Sequence, residues 1–379
     1  MGLISFNNPS VTGKEIENVA EALTNRQFAG NGSFTKRCEA WLERQINCTK
    51  ALLTNSCTAA LEMAAVLADI QPGDEVIMPS YTFVSTANAF VARGAIPVFI
   101  DVRSDTLNID ERLIEPAITS RTRAIVPVHY GGVGCNMTSI KMIAERYNLW
   151  IIEDAAQAIM ATQEDQALGS FGHLGTLSFH ETKNITSGEG GALLINDTTL
   201  VNRAEIIREK GTNRSQFLRG QIDKYTWVDM GSSHLPSEII AAFLWAQLQE
   251  ALTITKRRLA LWENYHSAFE PFEKTGRVRR PIIPNGSGHN GHHYYLLLSN
   301  LYDRDNFIKS MRQQEIECVF HYVPLHSSPF GRQSGRASGP LPVTKDISDR
   351  IVRMPLWVEL EEQQDRVVEA AVKSLKKQP

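Results

Sequence analysis

The chain has 379 residues, with 39 Lys and Arg against 42 Asp and Glu and 42% hydrophobic residues. That length exceeds one ordinary core and points to two domains, while the near-neutral balance excludes a non-specific nucleic-acid binder. Five scattered cysteines with no CxxC pair exclude a disulfide framework and a zinc knuckle.

The first residues carry no basic stretch followed by an apolar run, so no secretory leader is expected. The earliest informative segment is Thr54-Asn55-Ser56-Cys57-Thr58-Ala59-Ala60-Leu61, which follows an apolar run and opens an Ala-rich helix. Small residues let backbone amides approach a phosphate, and a helix N-terminus favours its charge. An ordinary Ser/Thr cap has the same look. Strands are predicted over 75–78, 97–101, 124–129, 149–154, 176–180 and 192–196, with helices between them, for example over 85–93 and 137–147. Val and Ile dominate several of these strands with little polar alternation, which suits strands covered on both faces. The series implies an α/β fold with a mostly parallel sheet wrapped by helices.

Within that series, Pro79-Ser80-Tyr81-Thr82-Phe83 follows a strand end, and Phe83 can stack on a ring. Asp154 ends the strand at 149–154, where open α/β sheets gather ligands. A carboxylate there can face the ring nitrogen of pyridoxal phosphate and keep it protonated, so that the ring acts as an electron sink; a plain helix cap is the alternative. Gln157, one helical turn on, can reach the phenolic oxygen of such a cofactor, and Ser178 can add a hydroxyl to its phosphate. Lys183 lies in Ser178-Phe179-His180-Glu181-Thr182-Lys183-Asn184, between a strand and the cluster Gly188-Glu189-Gly190-Gly191. A lysine between buried strands is costly to desolvate as an ammonium, and an imine with an aldehyde cofactor is one reason to place it there. The alternative is a solvated loop lysine.

A long helix is predicted from about 237 to 269; at 239–246 it holds the longest apolar run, too short to span a bilayer. A reducing cytoplasm is the expected compartment. Strands near 294–298 and 318–323, a helix near 305–314 and a terminal helix after 361 make the remainder a small α+β domain. The expected division is a large cofactor-binding domain over 1–250 and a small domain over 251–379. The Ser-, Gly-, Pro- and Arg-rich stretch 327–342 reads as a mobile surface loop.

Taken together, the segments 54–61, 79–83, 153–157, 178–184 and 188–191 resemble the DegT/DnrJ/StrS-type sugar aminotransferases. The likeness extends to His321-Tyr322-Val323-Pro324-Leu325-His326 and Arg353-Met354-Pro355-Leu356. It implies a fold-type I pyridoxal-phosphate enzyme, aspartate-aminotransferase-like, that aminates nucleotide-linked keto sugars. By resemblance, Lys183 is the Schiff-base lysine, Asp154 the pyridinium partner and Gln157 the phenolate neighbour. Thr58 and Ser178 hold the phosphate, with Cys57 contributing its backbone.

The stretches 79–90, 127–130, 208–217 and 220–227 are similar to the family branch that aminates a dTDP-linked 4-keto-6-deoxyglucose with L-glutamate for surface polysaccharides. The implied assembly is a homodimer with sites at the subunit interface. His321 and His326 are the sugar or phosphate candidates, and Arg214 and Tyr225 are candidates from the partner chain. Where many members carry Gly-x-Asn-x-Arg, this chain has Gly231-Ser232-Ser233-His234-Leu235. Ser233 can make a shorter version of the asparagine's contact with the neighbour's cofactor phosphate, but Leu235 cannot replace the arginine charge. The basic runs Lys256-Arg257-Arg258 and 277–280 read as solvated faces rather than pyrophosphate sites.

Three rival readings fit parts of the sequence. A metal hydrolase would use His289, His292, His293, His321 and His326, but no HExxH-like spacing accompanies them, so no metal is expected. A dinucleotide enzyme would use Gly131-Gly132-Val133-Gly134, which lacks GxGxxG. A non-catalytic sugar-binding relative has no need of both Lys183 and Asp154. The C4 configuration of an aminated sugar, galacto or gluco (the viosamine type), is open at this point.

Overall fold

The computed structural model describes residues 2–376. The expected division at 250/251 also takes in residues 1 and 377–379, which lie outside the described residues. Eight strands form one sheet in the order Lys50–Thr54, Gly191–Ile195, Leu174–Ser178, Trp150–Asp154, Thr122–Ile125, Glu75–Pro79, Ile96–Ile100, Arg336–Ala337. All run parallel except Gly191–Ile195, which is antiparallel to both neighbours.

Alternate side chains of each strand enter different cores, as the period of two requires. Leu52, Ile152 and Leu193 pack with the helix Cys57–Leu67. Leu53, Leu177, Ala192 and Leu194 pack with the helices Ser33–Ile46 and Glu238–Gln249. Coverage on both faces is why these strands read as unbroken apolar runs.

The C-terminal part builds a second core on Trp262, Tyr265, Phe269, Phe307 and Leu375, joined by Ile4 from the N-terminus. Its two-stranded sheet pairs Tyr294–Leu297 antiparallel with Ile351–Met354 and places Tyr295 opposite Arg353. The helices Leu301–Arg312 and Gln364–Lys376 pack on it.

Three expectations change. The helix predicted over 237–269 is two helices, Glu238–Gln249 and Ala251–Lys274, because Glu250 leaves helical geometry at φ −102, ψ 10. The strand predicted at 318–323 is a single bridge from Val319 to Arg353. Beyond it the chain turns so that His321 and Tyr322 line a cavity. The stretch 327–342 holds the helix Pro329–Ser334 and the edge strand Arg336–Ala337.

That edge strand is fastened by charge. Glu75 is fully buried, and its carboxylate accepts from Arg336 Nε (3.1 Å) and Nη2 (2.7 Å), Arg121 Nη2 (2.6 Å) and Thr119 Oγ1 (2.8 Å). Arg336, first among the partners, holds the carboxyl below its ordinary 4.5. A depressed carboxylate pKa stabilises the fold above the unfolded value, and this contribution is lost as pH falls through the folded one. Arg336→Ala should therefore lower stability by about 1–2 kcal/mol at neutral pH, given the partial exposure of the arginine. The gap should close in acid. Urea unfolding at neutral pH and near pH 3 checks this, and an equal gap at both would refute it.

Candidate active site

Register brings the strand ends to one place. Thr54 and Ser178 both pair with Gly191, and Asp154 pairs with Thr176 on the next strand. These ends open on a cavity of about 490 Å³, within the range of small-molecule sites.

Adjacent residues of one strand split the work at its carboxyl end. The Glu153 carboxylate points away, into a buried nest of the Gly169, Phe171 and Gly172 amides (2.9, 2.7 and 2.7 Å) and His129 Nε2 (2.8 Å). This fixes the strand's last turn. Asp154 lines the cavity, 5% exposed. Its Oδ2 accepts from Thr86 Oγ1 at 2.7 Å, and Thr86 lies 2.8 Å from Thr82 Oγ1. No helix starts at Asp154: a turn follows, so Gln157 is not one helical turn away. It reaches the cavity wall from that turn, accepting from the Gly131 amide (2.7 Å) and donating to Tyr322 Oη (3.1 Å).

Lys183 sits in the loop joining Leu174–Ser178 to Gly191–Ile195. The loop is closed by Phe179 N to Gly190 O (2.9 Å), Glu181 N to Gly188 O (2.8 Å) and Lys183 N to His180 O (2.9 Å). Burial pushes the Lys183 pKa below its ordinary 10.5; Cys57 and Asp154 oppose the shift and Arg353 adds to it. Lowering the pKa raises the fraction of nucleophilic neutral amine. Burial, with Asp154, pushes the Cys57 thiol up to about 12, so it stays neutral.

At the other end of the cavity, Ser56 caps the helix Cys57–Leu67 by accepting from Ala59 N at 3.0 Å. The first amides of a helix have no intrahelical partners; Ser56, Cys57 and Thr58 line the cavity beside Ser178 and Ser85. Thr58 Oγ1 donates to Ser85 Oγ at 2.8 Å. A Cβ on Gly191 would lie 2.4 Å from Cys57 N, so only glycine lets the antiparallel strand lie against this cradle.

The remaining expected residues divide. Phe83 lines the cavity mouth at 57% exposure, and its ring is 6.3 Å from Tyr322. His321 lines the cavity with Nδ1 3.2 Å from Tyr130 Oη, and burial and Arg353 push its pKa far down. His326 is not in the wall: its Nδ1 is 2.6 Å from Ser80 Oγ. Ser233, Arg214 and Tyr225 also lie outside this chain's own cavity. Arg214 pairs with Glu209 (3.1 Å), Tyr225 packs on Phe217, and the Ser233 carbonyl accepts from Asn55 Nδ2 (3.3 Å). Sequence reasoning missed Thr86, Ser85, Tyr322, Arg353 and Phe6, all in the wall. Ser85 and Thr86 lie in the matched stretch 79–90 and Tyr322 and Arg353 in the matched C-terminal segments, whereas no signal marked Phe6.

Pyridoxal phosphate fits these donors. A helix N-terminus with two hydroxyls suits a phosphate, a buried carboxylate suits a protonated ring nitrogen, and the Lys183 amine is within electrostatic reach of both Cys57 and Asp154. Fold and site together therefore define a pyridoxal-phosphate-dependent aminotransferase. The chain belongs to the DegT/DnrJ/EryC1/StrS aminotransferase family, whose model matches residues 9–372, and it is a sugar aminotransferase.

The chain is 33% identical over 377 residues to an uncharacterised protein of Methanocaldococcus jannaschii, covering 97% of this chain and 96% of that one. It is 31% identical over 376 residues to the spore coat polysaccharide biosynthesis protein SpsC of Bacillus subtilis, covering 97% and 96%. The PLP-form structure of Spr1654 from Streptococcus pneumoniae superposes with a TM-score of 0.91 at 25% identity, covering 99% of each chain. Among the described residues no helix is long and apolar enough to cross a membrane.

Two tests follow from this geometry. Lys183→Ala should remove the absorption band of the covalently held cofactor and all turnover, whereas Asp154→Asn should keep the cofactor and slow the single-turnover rate. An intact band in the first variant, or an unchanged rate in the second, would contradict these roles. Gly191→Ala should weaken cofactor retention by roughly tenfold or more, since overpacking of this kind typically costs 1–3 kcal/mol. Equilibrium dialysis reads it, and an unaltered dissociation constant would show that the cradle tolerates the displacement.

Proposed function

We propose that the protein transfers the amino group of L-glutamate to C4 of dTDP-4-keto-6-deoxy-D-glucose. The products are dTDP-4-amino-4,6-dideoxy-D-galactose and 2-oxoglutarate, made in the cytoplasm for a surface polysaccharide such as enterobacterial common antigen or an O-antigen. The observation that carries the transamination is a Lys183 amine and an Asp154 carboxylate facing one cavity without pairing to each other. The sugar and the donor rest on the motif likeness in 79–90, 127–130, 208–217 and 220–227.

When bound, the cofactor supplies an electron sink for the carbanion that proton loss creates. Asp154, oriented by Thr86, holds the positive ring nitrogen. Ser178, Thr58 and the Cys57 amide would hold the cofactor's phosphate, Gln157 would bond its phenolic oxygen and Phe83 would pack on its ring. Lys183 Nζ takes a proton from the α-carbon of the donor and later returns one to C4 of the sugar, acting as base and then acid. His321 serves the sugar end from the cavity wall, and His326, hydrogen-bonded to Ser80 outside that wall, is the second candidate for the sugar. Donor and sugar occupy one cavity in turn.

The working unit in this reading is a homodimer. Support comes from exposed apolar side chains at Phe217, Leu218, Tyr225 and Trp227, together with Phe83 at the cavity mouth. Monomers seldom leave such surface uncovered. Ser233, Arg214 and Tyr225 then act at the neighbour's site.

Incubation with dTDP-4-keto-6-deoxyglucose and glutamate, followed by NMR of the product, tests the assignment. An axial C4 amine and parallel double-reciprocal plots are expected. An equatorial amine would give the viosamine-type activity instead, and no amination of this sugar would overturn the substrate.

A further inference from the structure

One histidine in the cavity wall is unused by the roles above. His292 lines the same wall as Lys183 and is buried. Its Nδ1 lies 3.0 Å from Asn184 Oδ1, and Asn184 Nδ2 donates to the Asn290 carbonyl at 2.9 Å. That carbonyl has no proton to give, so it must meet the amide nitrogen of Asn184 and leave the amide oxygen for the imidazole. An amide oxygen only accepts, so the His292 proton is on Nδ1 and the lone pair is on Nε2. Burial, then Lys183 and His293, with Arg353 and Arg258 adding, push the imidazole pKa far below its ordinary 6.5 and keep the ring neutral. No hydrogen bond among the described residues uses Nε2, and that atom is not sealed from solvent, so it faces the cavity.

The ring is also held in place. Asn290, fully buried, accepts from the His292 amide at 3.0 Å and donates to the Gln157 and Ile159 carbonyls at 2.9 and 2.8 Å. Arg258, expected on a solvated face, is buried instead and donates to the carbonyls of His292 (2.7 Å) and Gly291 (3.1 Å). Asn184 follows Lys183 in the chain, so one buried polar network ties the lysine loop, the Gln157 turn and this imidazole together. Such a fully bonded network fixes the direction in which the remaining lone pair points.

We propose that His292 Nε2 accepts a hydrogen bond from the sugar hydroxyl on the carbon next to the one that takes the amine, and that Asn184 is the positioning residue that fixes this acceptor tautomer. The chemistry of the visiting groups selects the hydroxyl. The cofactor phosphate, the carboxylates of the amino donor and the ketone of the sugar all bring lone pairs, which another lone pair repels. Lys183 Nζ makes no hydrogen bond to the ring. A hydroxyl brings a proton, and on the neighbouring carbon it is two bonds from the atom that Lys183 protonates. A sugar without that hydroxyl leaves the acceptor desolvated and unpaired, so the site discriminates against it. The assignment rests on the sugar-aminotransferase class and, for the choice of probe, on the sugar proposed above.

Two probes test it: dTDP-4-keto-6-deoxyglucose and its 3-deoxy counterpart, each offered to the pyridoxamine form of the holoenzyme. Wild type should favour the hydroxylated sugar by roughly 10–100-fold in kcat/KM, the loss expected when a buried acceptor goes unpaired. His292→Phe should reduce that preference to about threefold or less. His292→Gln, whose amide oxygen takes the place of Nε2, should recover part of it, and Asn184→Leu should weaken it. Removing the oxygen also alters the ketone, but that effect cancels when the ratio of the two sugars is compared between enzymes. In His292→Phe the loss with the hydroxylated sugar should exceed the loss with glutamate by about tenfold or more. Heteronuclear NMR of holoenzyme labelled at histidine, with His292 assigned from its missing signal in His292→Phe, should place the proton on Nδ1 in wild type and show a tautomer mixture in Asn184→Leu. A preference that survives in His292→Phe would overturn the assignment, as would no preference in wild type, equal losses in both half-reactions, or a proton on Nε2 in wild type. If wild type aminates neither sugar, the substrate of the proposed function falls, while the place of the imidazole proton still decides for or against this acceptor.

Discussion

The site depends on two opposite charges that share a cavity and do not neutralise each other. Had Lys183 and Asp154 closed into an ion pair, the amine would be held as an ammonium and the carboxylate would be occupied. On the acid side Asp154 is instead bonded to Thr86 Oγ1 at 2.7 Å and to the Ala156 amide at 3.2 Å. On the basic side the loop between antiparallel strands is fixed by Lys183 N to His180 O. Burial then tips the amine toward neutrality against the pull of Asp154. Much of the surrounding architecture keeps this distance: the Glu153 nest fixes the strand end, and Gly191 lets the neighbouring strand approach the helix Cys57–Leu67.

Most of the sheet was legible because strands covered on both faces carry unbroken apolar runs, as in Trp150–Asp154 and Gly191–Ile195. Strand direction was not legible, since nothing in Ala192-Leu193-Leu194-Ile195 distinguishes antiparallel from parallel neighbours. Ile351–Met354 escaped notice because a four-residue strand beginning beside helix Pro342–Arg350 has no turn signal to announce it. Arg336–Ala337 was hidden by loop-like composition, and its pairing is enforced by Glu75, 261 residues away.

The candidate site shows the same division. Lys183, Asp154, Ser178 and the 54–61 segment were visible from local pattern, because strand ends and helix starts advertise themselves. Arg353 and Phe6 were not, since they meet only when the N-terminus crosses to the C-terminal core. The helix that would carry Gln157 one turn past Asp154 does not form; the turn at 156–157 delivers it to the wall by another route. Family membership follows from a match over 9–372, while the sugar is a matter of finer contacts that 25–33% identity does not transmit.

The sheet's outer edge has a bearing on how the polypeptide tolerates being cut. Ile96–Ile100 is capped by Arg336–Ala337, which arrives more than two hundred residues later. Until that late stretch is made, a nascent or truncated chain carries an open, apolar β-edge of Ile, Pro, Val, Phe and Ile, a ready template for intermolecular pairing. A fragment ending near residue 250 would inherit that aggregation hazard, even with every cofactor ligand from the first half present.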